Sequence, residues 1–343
     1  MSLKKETKTK LLLLVLIPLF SWFLLFQLFT GEKKNFDQLA LGKNNFLVTN
    51  SINKHKIICS SIEGLEDCLN YLRKKNFKKN ILWLGNSQLN SVNQGDANTI
   101  LASHKVSQYF YNKNVGVITF AAPNISFQEY FTVISHLKNK FYFDALILPL
   151  VFDDTREDGI RKSFIIKKKN KNIKKTLQEM SESKIISYLN KYLKWNNVRS
   201  AAQGNIYEFL YRGRNFVFNI NPTTTRKTIK PIFDKNMLSL EKILKVAKKD
   251  SIKTILYIAP LRNDIKIPYN EVEYSLFKKR TKDLSKEYFS NFYNLEDVVP
   301  APLWGDKGGT KLGVVKEVDF MHFKEQGHAI LSQNIITILD KLF

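Results

Sequence analysis

Past residue 76 the chain alternates short apolar runs with stretches of helical period, and that alternation admits few folds. The runs at 80–84, 115–120, 144–152 and 253–259, with a weaker one at 292–295, are apolar without the every-second-residue pattern of a half-exposed strand. They read as strands buried on both faces. The intervening segments at 97–111, 127–140, 238–248, 272–288 and 324–342 read as helices. The last carries an apolar stripe through Ile330, Leu331, Ile335, Ile338 and Leu342. This is the pattern of an α/β fold, a mainly parallel sheet covered by helices on both faces. Between the third and fourth strands lies a long insertion, 153–235, of the kind that forms a lid or binding surface.

Such sheets place their chemistry at the carboxyl ends of the strands. Gly85-Asn86-Ser87-Gln88 closes the first strand there, with the glycine expected to permit a tight turn. A serine so placed presents its hydroxyl at the sheet edge, with the N–H groups that follow available to an oxyanion. Asp319 and His322 lie three residues apart just before the last helix, and the spacing predicts both side chains on one helical face. A carboxylate there would orient the imidazole as general base toward Ser87. Arg262 follows the fourth strand and is expected at the same edge, where it could bind an anionic group. His104 and His136 sit within helical segments and read as structural. The stretch 305–311 lacks the spacing of a phosphate loop and reads as flexible. No cluster has metal-ligand spacing, and neither metal nor cofactor is expected.

With Ser87 in a first GNSQ block and Asp319 and His322 in a last VDFMHFKEQG block, residues 77–343 resemble the SGNH or GDSL-type hydrolases. The resemblance implies a flavodoxin-like three-layer sandwich, with Ser87 as nucleophile, His322 as base and Asp319 as its partner. It also implies oxyanion donors in two middle blocks. Here those read FAAPNIS, residues 120–126, with alanine and proline in place of glycine, and LVFDDTREDGIR, residues 150–161. Asp153 or Asp154 stands where the family offers an asparagine, and an ionised carboxylate cannot donate. Asn124, Arg156 or the N–H groups of Ser87 and Gln88 are the alternative donors. Asp153, Asp154, Arg156, Glu157 and Arg161 also read as a solvated ion-pair turn.

Upstream, residues 11–30 carry no charge, and at ~1.5 Å per residue they match the ~30 Å hydrocarbon layer of a bilayer. They read as an uncleaved anchor in preference to a signal peptide, because no small-residue cleavage site follows. Lys4, Lys5, Lys8 and Lys10 precede the span, which assigns 1–10 to the cytoplasm and the rest outside the inner or plasma membrane. Residues 31–76 read as a juxtamembrane segment with one short helix at 64–74. Cys59 and Cys68 lie within it, as a disulfide candidate in an oxidising compartment or as a pair of free, partly buried thiols.

The net charge of +23 invites a nucleic-acid reading, with the lysines of 167–175 as its patch. Lysine far outnumbers arginine and no nucleic-acid-binding signature is legible, so the charge points to an anionic lipid surface or an acidic envelope polymer. An anchor followed by an extracytoplasmic SGNH-like domain resembles the DltD and alginate-acetylation group. That resemblance implies a serine O-acyltransferase or esterase acting on an envelope glycan, with a membrane-bound O-acyltransferase as partner. The alternative is a non-catalytic envelope protein that binds or scaffolds such an enzyme.

Overall fold

The computed structural model describes residues 44–48, 51–52, 55–96, 98–138, 140–165 and 195–343, together with Leu16, Ser21, Ser187 and Lys191. The apolar span 11–30, apart from two of those single positions, and the basic run 167–175 lie outside the described residues. Among the described residues no helix is long and apolar enough to cross a membrane. The chain forms two compact units. One takes in Met1–Ala40, Lys168–Ile220 and Thr310–Gly313, the other Leu41–Lys167, Asn221–Gly309 and Val314–Phe343. The longest described element of the first is a helix, Trp195–Val217, in whose last turn Asn215 Nδ2 donates to Thr310 O at 2.9 Å.

The second unit begins with four short strands, β1 (Asn45–Leu47), β2 (Ser51–Ile52), β3 (His55–Lys56) and β4 (Ile58–Cys59), and helix α1 (Ile62–Lys75). It continues through β5 (Lys79–Gly85), the single-turn helix α2 (Ser87–Asn90), β6 (Ser91–Asn93), α3 (Ala102–Tyr111), β7 (Val115–Ala121), α4 (Phe127–Leu137) and β8 (Ala145–Leu150). After the insertion come α5 (Lys230–Lys249), β9 (Lys253–Ile258), α6 (Glu271–Glu287), β10 (Asn291–Asn294), β11 (Trp304–Gly308), β12 (Lys316–Phe323) and α7 (Glu325–Asp340).

Six strands form one sheet in the order β10-β9-β8-β5-β7-β4, every pair parallel. From β5 the chain passes to β7 on one side and returns to β8 on the other. The carboxyl end of β5 is therefore the point where strand order reverses and a crevice opens. Alternate residues of β5 face opposite sides, and both sides are apolar. Leu82 and Leu84 pack with α1, α4, α5 and α6, whereas Ile81 and Trp83 pack with α3 and α7. Each such side chain contributes roughly 1.5–3 kcal/mol by leaving water. The buried indole N–H of Trp83 donates to Tyr257 Oη at 3.2 Å.

Several sequence expectations change. The described part of the segment read as juxtamembrane belongs to the fold: β4 adds to the sheet edge beside β7, and Leu65, Leu69 and Leu72 of α1 are buried in the core. The stretch expected to be a flexible loop, 305–311, contains most of β11, which pairs antiparallel with β12. Asp319 and His322 lie in β12 and not on a helix, since α7 begins only at Glu325. Gly85 is not held by a left-handed turn. A Cβ there would sit 2.3 Å from Leu89 Cδ1, so its hydrogen lets α2 fold back against the strand end. Helix α5 starts at Lys230, earlier than its apolar period suggests, because Pro231 suits the first turn of a helix.

Cys59 and Cys68 are joined in a disulfide that ties β4 to α1. Closing so short a loop stabilises by about 2–3 kcal/mol through the unfolded chain. Replacing both cysteines by serine is expected to lower the unfolding free energy from denaturant titration by that amount, and thiol titration of the denatured, unreduced wild type should find no free thiol at either position. Gly85→Ala is expected to cost about 1–3 kcal/mol, read by the same denaturation curve.

Candidate active site

The register of β11 against β12 explains how residues three apart on a strand come together. Trp304 pairs with Phe323 and Asp306 with Val318, so two steps along β11 match five along β12. The residues between form a wide bulge. Within it Asp319 Oδ1 accepts from the N–H groups of Met321 at 2.9 Å and His322 at 3.0 Å. The turn brings Asp319 Oδ2 to 2.9 Å from His322 Nδ1. On the other side of the ring, His322 Nε2 lies 2.9 Å from Ser87 Oγ. Ser87, His322 and Asp319 thus form one hydrogen-bonded line at the carboxyl edge of β5.

Asp319 is buried at 2 % exposure. Burial alone would raise its pKa, but the His322 charge and hydrogen bond, Lys307 and the Met321 N–H outweigh it and hold the carboxyl well below the usual range. The carboxylate is therefore ionised at neutral pH, as a partner for an imidazolium must be.

Around Ser87 the short turn is tightly braced. Asn86 Oδ1 accepts the Gln88 N–H at 3.0 Å, and the Gln88 side chain donates to Pro260 O at 2.9 Å and Met321 O at 2.8 Å. Gln88 is thus a strut between β9, β12 and the serine turn, and its N–H is not free for an oxyanion as the sequence suggested. The Ala122 N–H in the second block is likewise taken, by Gly85 O at 3.2 Å. Ser87 stands first in α2, and its own N–H has no partner among the described residues.

The remaining candidates divide. Asn124 lies in the loop after β7 at φ 48°, with an exposed side chain that makes no hydrogen bond among the described residues. Asp153 is committed to Arg226, to Arg156 at 3.4 Å and to the Tyr269 hydroxyl at 3.2 Å. Arg156 spends its Nε on Lys227 O at 3.0 Å, so it pins the end of the insertion. Asp154 is buried behind Asn86, whose Nδ2 lies 3.4 Å from both carboxyl oxygens. Burial, opposed by that amide and reinforced by the charges of Asp153, Glu157 and Glu129, pushes its carboxyl well above the usual range. Arg262 does emerge at the expected edge, but Nε and Nη2 hold Asp264 at 2.6 and 3.0 Å and Nη1 donates to Gly305 O at 2.9 Å. A guanidinium so engaged is a brace and not an open anion site. Among the described residues no group of three or more His, Cys, Asp or Glu is placed to hold a metal.

Two participants were missed from the sequence. Asn45 Nδ2 donates to Asp319 Oδ2 at 2.6 Å from β1, in the segment read as juxtamembrane. His328 is fully buried in α7, with Nε2 3.0 Å from Ser91 O, and Ser91 Oγ in turn donates to Ser87 O at 2.6 Å. An apolar helix with one histidine in its first turns was its only signal.

No protein-family model matches the chain, and a search of curated proteins finds no match. Among solved structures it is similar to a GDSL-like lipase from Bacteroides thetaiotaomicron, at 12 % identity and a TM-score of 0.36 over 79 % of this chain and 91 % of that one. It is similar to a psychrotrophic esterase from Pseudoalteromonas, at 8 % identity and a TM-score of 0.41 over 77 % and 98 %. An acetylxylan esterase from Geobacillus stearothermophilus aligns at 10 % identity and a TM-score of 0.38 over 76 % and 94 %.

Burial pushes the His328 imidazole down to about 3, whereas in the unfolded chain it titrates near ~6.5. The folded protein therefore excludes a proton that the unfolded chain accepts between those values. The stability gained from a neutral His328 is complete above ~6.5 and is lost as the pH falls toward 3, at up to about 1.4 kcal/mol per pH unit. Denaturation midpoints across that window should show the loss, and His328→Gln, which has no proton to exclude, should flatten it.

Proposed function

We propose that this chain is a serine acyl-transfer enzyme of the SGNH type, an esterase or O-acyltransferase that works through an acyl-enzyme on Ser87. The observation that carries the reading is the continuous line from Ser87 Oγ through the His322 ring to Asp319, at 2.9 Å for each hydrogen bond. His322 Nε2 takes the hydroxyl proton as Ser87 Oγ attacks an ester carbonyl. Asp319 fixes the tautomer with the proton on Nδ1 and stabilises the imidazolium that forms. The same imidazolium then protonates the departing alcohol. Water, or the hydroxyl of an acceptor, reverses the sequence and frees the serine. The Ser87 N–H is the donor left for the oxyanion.

The uncharged span 11–30 and the lysines before it support an anchored enzyme whose catalytic unit lies outside the cytoplasm. With a net charge of +23, an acyl ester on an acidic envelope glycan is the substrate class that fits, supplied or consumed by a membrane-bound O-acyltransferase. A second reading, a non-catalytic binding or scaffolding protein, is favoured by one observation. The Gln88 and Ala122 N–H groups are already taken, which leaves the oxyanion side sparsely provided.

The two readings separate by mutation of the full chain. Ser87→Ala and His322→Ala are each expected to abolish turnover of a small acyl ester, and the double variant should lose little more, because members of such a line act as a unit. Asp319→Asn should lower kcat by about 10⁴-fold through the wrong tautomer. A fluorophosphonate probe should label the wild type and spare Ser87→Ala. Absence of both labelling and turnover in a folded wild type, with Ser87→Ala still supporting envelope modification in cells, would instead establish the scaffold.

A further inference from the structure

Asp319 has a second side-chain partner besides His322, and it arrives from the opposite end of the chain. Strand β1 lies antiparallel on β6, with Asn45 opposite Asn93. Backbone bonds from Gln94 N to Asn44 O at 2.8 Å and from Val48 N to Asn90 O at 2.9 Å hold its two ends. This seats the Asn45 amide over the Asp319 carboxylate.

The orientation of that amide follows from a carbonyl. Asp306 O can only accept, so the group of Asn93 that meets it at 3.1 Å is Nδ2. The same Nδ2 lies 2.9 Å from Asn45 and therefore faces Oδ1. Asn45 is left to present Nδ2 to Asp319 Oδ2, at 2.6 Å. Gly305 makes room for the relay, since a Cβ there would overlap Asn93 Oδ1. Asp319 Oδ2 is the oxygen that also meets His322 Nδ1, so one carboxylate oxygen is shared between the ring and Asn45.

We infer that Asn45 is a positioning residue of the active site: its amide holds Asp319 Oδ2 in line with His322, and β1 is in this way part of the catalytic apparatus. The inference rests on the serine-enzyme reading given above. It makes the strand that follows the amino-terminal region a third contributor to a site otherwise built from α2 and β12. Phe46 and Leu47 are substantially exposed, at 43 % and 41 %, so β1 is held mainly by its ladder and by this relay. Whatever pulls β1 from β6 withdraws a donor from Asp319.

The test uses the full chain in detergent, with Asn45→Ala and the isosteric Asn45→Asp. The charged and titratable groups around the pair are Lys307 and Asp306 on β11, Arg262 after β9, and His328 on α7, all unchanged in both variants. The expected result is a kcat lower by about 10- to 100-fold per probe-labelled site, with KM within about twofold, because the geometry of the base and not substrate binding is disturbed. Loss of a donor leaves Asp319 a stronger partner for imidazolium, and a second carboxylate more so. The titration midpoint of the His322 ring, followed by ¹⁵N resonance, should therefore rise in Asn45→Ala and rise further in Asn45→Asp. A merely structural role would lower the labelled fraction and leave kcat per site and the midpoint unchanged, which overturns the inference. Ser87→Ala is the control for the reading beneath it. If the wild type neither turns over ester nor labels, the enzyme reading fails, and the His322 midpoint alone decides whether Asn45 holds the pair.

Discussion

The hydrogen bond between His322 Nε2 and Ser87 Oγ is the contact on which the arrangement of this protein turns, because it joins groups 235 positions apart in the chain. Ser87 is presented by the end of β5, at the one place in the sheet where successive strands part to opposite sides. His322 is presented by a bulge in β12, which belongs to a separate two-stranded ribbon. Neither element is positioned by the other's hydrogen-bond ladder. Their meeting depends on packing below, where Trp83, Leu89 and Phe323 share one apolar cluster, and on polar struts above.

Those struts are a consequence of burial. The strand ends around the site leave carbonyls facing inward, and an unpaired buried acceptor costs about 1–3 kcal/mol. Gln88 resolves two at once by donating to Pro260 O and Met321 O. His328 and Ser91 together resolve the carbonyls of Ser91 and Ser87. Meeting this demand for partners also fixes the serine turn, so the energetics of the core and the geometry of the site are the same set of bonds. The lowered pKa of His328 is one sign of it, since a histidine kept neutral can serve as a hydrogen-bonding strut inside an apolar layer.

The Asn86 side of the serine turn follows a different logic. Asn86 uses its oxygen to cap the turn and its nitrogen to meet the buried acid Asp154. An amide stands at the end of β5, and after β8 a carboxylic acid stands where the resemblance led one to expect an asparagine. The acid, pushed up by burial, can exist without a counter-cation. It thereby fixes the amide that fixes Ser87.

Much of this was legible in the chain itself. Apolar runs without alternation dictated a buried parallel sheet, because only a strand covered on both faces gains from such a composition. The placement of Ser87 after the first of them, and the pairing with Asp319 and His322, followed from where such sheets expose their strand ends. What the sequence could not determine were contacts that depend on register and on long-range approach. The shared face of Asp319 and His322 comes from a bulge and not a helical turn, since it is the three extra residues opposite β11 that fold the strand back on itself. Gly85 is required by the nearness of Leu89 and not by its own backbone angles. Arg262 and Asp153 were visible as charges, but only the folded chain brought the Gly305 carbonyl to the one and Arg226 and Tyr269 to the other. Asn45 had no local signature at all, because a polar residue on a short strand becomes part of a site only when tertiary structure lays that strand across the carboxylate.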